Sequence, residues 1–135
     1  MKTLTVLADI DKLDEACGFV EECLEATDCT ERAKFQIRLA VEEIFVNIAN
    51  YAYKPEDGNV TICCEYNEEN RNFAIGFYDT GKPFDPLAKE DADISEEALL
   101  EREGGLGILL VKKTMDEVSY AYRDGQNILT VVKRI

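Results

Sequence analysis

The sequence predicts an α+β fold: a two-layer sandwich in which helices cover one face of a mixed, mostly antiparallel sheet. Three observations lead there. Several segments of strand length alternate apolar and polar residues, two long stretches repeat apolar residues at helical spacing, and a glycine-rich entry opens a third helix just before a C-terminal hairpin. At 135 residues the chain reads as one domain, 1–135, long enough to bury a core without staples.

Each element follows from local pattern. Leu4, Val6 and Ala8 alternate, which predicts a strand over residues 2–8. Over residues 11–26, Leu13, Ala16, Cys17, Val20 and Leu24 recur at helical spacing, with Asp11 placed as the N-cap. Thr30 is the cap of a second helix running to about Tyr53, with an apolar stripe of Ile37, Val41, Ile44 and Ile48 flanked by Phe45 and Ala52. Residues 54–59, with Pro55 and Gly58, stop that helix and turn the chain. Val60, Ile62, Cys64 and Tyr66 alternate along one strand; Phe73, Ile75 and Phe77 alternate along the next, across a polar turn at 67–71. A helix over 105–115 follows, then a strand bearing Val118, Tyr120 and Tyr122. Asp124-Gly125 is a hairpin turn, and residues 128–132 close the chain.

Composition narrows the function. The net charge of −13 argues against nucleic acid or anionic lipid as the main partner. The start of the chain is strand-like, with no basic segment leading into an apolar run, and no apolar stretch reaches membrane-spanning length; the expectation is a cytoplasmic protein. The five cysteines show no CxxC spacing and histidine is absent, so a zinc site lacks its ligands and the thiols read as small apolar core residues. Without histidine the chain also lacks the usual catalytic triads and any phosphohistidine acceptor.

Three clusters carry candidate chemistry. Glu43, Asn47 and Asn50 stand at i, i+4 and i+7, sharing one helix face beside the apolar stripe. A carboxamide oxygen is a hard neutral ligand suited to Mg²⁺, and a carboxylate one turn away can polarise a hydroxyl, although a polar helix margin also accounts for these three residues. Glu42 instead falls with Lys34 and Arg38 on a solvent face, where an ion pair one turn apart accounts for it. Asp79-Thr80-Gly81 ends an apolar strand; an aspartate there can accept from an exocyclic amine and a glycine lets backbone pass close to a flat ring, although turns also favour both residues. Gly104-Gly105-Leu106-Gly107 leads into a helix, whose unpaired N–H groups and partial positive charge can seat an anion, although a tight turn into the helix also accounts for the glycines. Between the last two lies an irregular acidic segment, 85–103, with eight acidic residues against Lys89 and Arg102; a run of that length reads either as a lid or binding loop or as a solvated acidic excursion.

Taken together these residues resemble the GHKL (histidine-kinase-like) ATPase superfamily. Glu43-Ile44-Phe45-Val46-Asn47 is similar to its N box, Asp79-Thr80-Gly81 to its first glycine box and Gly104-Gly105-Leu106-Gly107 to its second, in that order. Tyr51-Ala52-Tyr53, the run from Gly81 through Pro86 and Met115-Asp116-Glu117-Val118 resemble the anti-sigma factor serine-protein kinase family within it, across nearly the whole chain. The resemblance implies a Bergerat-type ATP-binding fold, ATP or ADP with Mg²⁺ as ligands, Asn47 on the metal and Glu43 as general base. It further implies Asp79 on the adenine amine with Gly81 beneath the ring, and Gly104, Gly105, Leu106 and Gly107 at the phosphates. Asn50 and Arg102 join the cofactor-binding set, and residues 85–103 become the ATP lid. The implied partners are a sigma factor and an anti-sigma antagonist of STAS type, with no nucleic acid or membrane contact and a homodimer as the assembly. Two positions depart from the family pattern: Tyr51 stands where histidine is frequent, and Glu103 precedes the glycine motif where some relatives carry arginine. The second departure motivates another reading, a nucleotide-gated binding module that transfers no phosphate.

Overall fold

The computed structural model describes residues 1–53, 57–88 and 106–135. The alternating segments form β1 (Lys2–Leu7), β2 (Asn59–Asn67), β3 (Asn72–Asp79), β4 (Glu117–Arg123) and β5 (Gln126–Arg134); the helical stretches form α1 (Leu13–Glu25), α2 (Glu31–Tyr51) and α3 (Leu106–Thr114). The strands make one sheet in the order β1-β2-β3-β5-β4, and every pairing among them is antiparallel.

Register places the apolar halves of the strands in line. Ile62 pairs with Phe77 and Phe77 with Leu129; Cys64 pairs with Ile75 and Ile75 with Val131. These rows and the inner faces of the three helices form one buried cluster, in which Phe45, Phe73 and Phe77 are the largest fully buried side chains. The period of two along the strands and 3.6 along the helices thus meets in a single interface, and burial of each such aromatic contributes about 1.5–3 kcal/mol.

The ends of the elements also follow from local chemistry. Thr30 has an extended backbone and its hydroxyl accepts from Ala33 N at 3.1 Å, capping α2 as its sequence position predicts. At the first helix the cap is displaced: Asp9, not Asp11, accepts from a backbone amide (that of Asp11, at 2.9 Å) and starts a 3₁₀ turn, Ile10–Lys12, from which α1 continues. An aspartate two residues earlier serves because the tighter turn begins before the helical periodicity does. Asp124 and Gly125 take φ of 52° and 77°, the paired left-handed conformation that a two-residue hairpin turn needs.

Three of the five cysteines, Cys17, Cys23 and Cys64, are buried, whereas Cys29 and Cys63 are only half-buried; all five are free thiols. Burial pushes the Cys17 thiol up to about 11 and raises that of Cys64 further, so both stay protonated and behave as apolar groups. Glu42 lies where expected, accepting from Arg38 Nε at 3.1 Å, with Arg38 also paired to Glu21. No described helix is long and apolar enough to cross a membrane.

Candidate functional site

An open cleft of about 490 Å³, partly continuous with solvent, lies between the C-terminal half of α2, the ends of β3 and β5, and the first turns of α3. Its wall is mainly apolar, with Ile44, Ile48, Ile108 and Leu129, and a few polar groups point to specificity: Asn47, Asp79, Lys82 and Asn127.

The floor is built by Asp79. Phe73, Ile75, Phe77 and Asp79 form the helix-facing row of β3, so the strand carries a carboxylate into the same buried layer as its aromatic residues, only 6% exposed. Asp79 Oδ1 accepts from Gly81 N and from Asn127 Nδ2, each at 2.9 Å. Oδ2 takes no hydrogen bond among the described residues, which leaves an acceptor for a donor entering the cleft. The loop after β3 then docks on the end of α2: Lys82 N donates to Ala52 O at 3.2 Å, satisfying a helix-end carbonyl. Gly81 is required there, since a Cβ would stand 2.8 Å from the Ala52 carbonyl carbon and 2.9 Å from its Cβ.

Two residues that sequence reasoning did not single out hold this loop. Asn127 pairs with Asp79 across the β3–β5 ladder and is 6% exposed. Its Nδ2 also donates to Lys82 O at 2.9 Å, while its Oδ1 accepts from Phe84 N at 3.2 Å and from the Tyr120 hydroxyl. Burial raises the Tyr120 phenol above its ordinary range, keeping it a donor. Tyr53 does similar work at the other side, its hydroxyl donating to Asn59 O at 2.6 Å and accepting from Thr80 N at 2.7 Å. The available signal was Asn127 itself, a polar residue on the core-facing alternation of Leu129 and Val131. Replacing Asn127 with alanine strips partners from a buried carboxylate and two loop carbonyls. The expected loss is about 2–4 kcal/mol of unfolding free energy, read as a lower urea midpoint at unchanged slope; a loss under about 1 kcal/mol would show that the loop is held elsewhere.

Of the residues on the α2 face, Asn47 lines the cleft half-buried, with no hydrogen bond among the described residues. Glu43, one turn earlier, lies with its carboxylate against Gly107 at the start of α3. Asn50 is half-buried but does not line the cleft. Tyr51, 48% exposed, stands at its rim with Phe84. Leu106 heads α3. Arg102, Glu103, Gly104 and Gly105, and residues 89–103 of the acidic segment, lie outside the described residues. The described start of that segment is turned by Asp85, whose side chain accepts from Leu87 N at 2.8 Å. Of the three lysines near the glycine boxes, Lys82 lines the cleft, Lys112 Nζ donates to Leu87 O at 3.4 Å and Lys113 is exposed.

This donor set fits a purine nucleotide with its cation. A free carboxylate oxygen in an apolar floor suits an exocyclic amine, an unengaged carboxamide suits a hard cation, and a helix start suits phosphate.

The chain matches a family model described as a histidine kinase-like ATPase domain over residues 6–133. It is 31% identical over 98 residues to the serine-protein kinase RsbW of Listeria monocytogenes serovar 1/2a, covering 69% of this chain and 61% of that one. The serine-protein kinase RsbW of Staphylococcus epidermidis is 31% identical over 104 residues, covering 73% and 64%. This chain therefore spans about three fifths of the length of the curated relatives it matches. Among solved structures, the histidine kinase AdeS of Acinetobacter baumannii aligns with a TM-score of 0.53 at 14% identity, over 99% of this chain and 68% of that one, a likeness of fold alone.

Proposed function

Since this chain belongs to the histidine kinase-like ATPase domain family, we propose that its cleft binds ATP or ADP with Mg²⁺ and that it acts as an anti-sigma factor with serine-protein kinase activity. The observation that carries the reading is the convergence on one cleft of Asn47 from α2, Asp79 from β3 and Ile108 from the first turn of α3, with the Glu43 carboxylate against Gly107 of that same turn. The similarity to two serine-protein kinases supports the finer assignment of reaction and partners.

In this reading Asp79 Oδ2 accepts from the adenine amine while Gly81, packed on Ala52 and donating its amide to Asp79 Oδ1, lies beneath the ring. Asn47 offers its carboxamide oxygen to the cation, and the glycine run 104–107 brings the phosphates to the N-terminus of α3. Arg102 and Lys82 supply positive charge, Asn50 supports the same helix face, and residues 85–103 form a lid over one domain, 1–135. Bound Mg-ATP supplies the γ-phosphoryl group and neutralises the charge that builds on it. Glu43 takes the proton from the acceptor serine Oγ as that oxygen bonds phosphorus and the bond to the ADP oxygen breaks. The acceptor is a STAS-type antagonist, the sequestered partner a sigma factor, and the assembly a homodimer in the cytoplasm, without nucleic acid or membrane.

Calorimetry of the full chain with ATP tests the binding. Affinity is expected to need Mg²⁺ and to fall about tenfold or more in Asn47→Ala, the loss of one charge-assisted contact. Equal affinity with and without the cation would remove Asn47 from the metal. Glu103 beside the glycine motif favours one alternative, a nucleotide-gated binding module. Tight Mg-ATP binding with no transfer to any antagonist would select it over the kinase.

A further inference from the structure

Gly107 is the second residue of α3, inside the helix, and its φ is not in the left-handed region. Backbone conformation therefore does not call for glycine there, and glycine is among the poorest helix formers. What calls for it is a neighbour. A Cβ built on Gly107 would stand 2.8 Å from Glu43 Cδ and 3.2 Å from Glu43 Cγ, and would overlap Oε2. Glu43 has no hydrogen bond or ion pair among the described residues, so this contact is what seats its carboxylate.

We propose that Gly107 is a positioning residue for Glu43: the space left by its missing Cβ holds the carboxylate against the first turn of α3. The inference rests on Glu43 being the general base of the proposed kinase, and it gives Gly107 a task beyond admitting phosphate. The same turn that offers N–H groups to an anion also sets where the base stands. One contact thus fixes the base relative to the phosphate seat. Because the atoms facing Gly107 are the end of a flexible side chain, a methyl at 107 displaces Glu43 while leaving the helix intact.

The test uses the full chain labelled with ¹³C at glutamate carboxyls, the Glu43 signal being assigned by its loss in Glu43→Gln. Without ligand, Gly107→Ala is expected to keep the amide spectrum away from α2 and α3, and to move the Glu43 titration midpoint by at least about 0.3 pH units. An unmoved Glu43 midpoint overturns the proposal. If the unaltered chain binds no Mg-ATP, the nucleotide reading fails, and the carboxyl titration still decides whether Gly107 seats Glu43.

Discussion

Glu43→Gln is expected to slow phosphoryl transfer to the antagonist serine by about a thousandfold, within the range that loss of a general base produces. The substitution keeps shape and length, and Glu43 is half-buried without a hydrogen bond or ion pair among the described residues, so the fold has nothing to lose. Mg-ATP affinity should hold or tighten, because a carboxylate near the phosphates repels them and a carboxamide does not. Rate and affinity therefore move apart, and that split separates a base from a binding residue. Single-turnover transfer of labelled phosphate, run beside calorimetry, reads both. Transfer surviving within about tenfold of the unaltered rate would mean the proton goes elsewhere.

The second large effect is expected at Asp79→Asn, where ATP affinity should fall about a hundredfold, equivalent to about 2.8 kcal/mol. Oδ1 is already engaged by Gly81 N and Asn127 Nδ2, which fixes which oxygen an asparagine must present to them. The amide nitrogen then takes the place of Oδ2 and offers donors to a base amine that is itself a donor. Folding should change little, since both inner hydrogen bonds survive. An unfolding midpoint close to that of the unaltered chain, with binding lost, is the expected pair of results. Retained affinity would show that the base is recognised by a different group.

Much of this site was legible before any coordinates. Glu43 and Asn47 stand one turn apart because 3.6 residues make a turn, and their face is read from the stripe of Ile37, Val41 and Ile44 beside it. Glu42 could be set aside on the same ground, and the structure pairs it with Arg38. Asp79 was recognisable as the polar end of an apolar strand. Asn127 was not, because its importance lies in a cross-strand neighbour 48 residues away. Tyr53 was visible only as part of a motif; its bonds to Asn59 and Thr80 depend on where the end of α2 meets β2 and β3. The misplaced cap at Asp11 has a local cause, a 3₁₀ turn that apolar periodicity does not register.

The amino-acid order by itself determined the elements, the buried face of each, and Glu43, Asn47 and Asp79 as candidate site residues. Those are consequences of periodicity and residue type, which act over a few positions. Only the tertiary structure decided that Asn127 and Tyr120 brace the floor, that Gly81 rests on Ala52, and that Gly107 faces Glu43. Such contacts depend on strand register and helix packing, in which side chains far apart in the chain compete for the same few cubic ångströms.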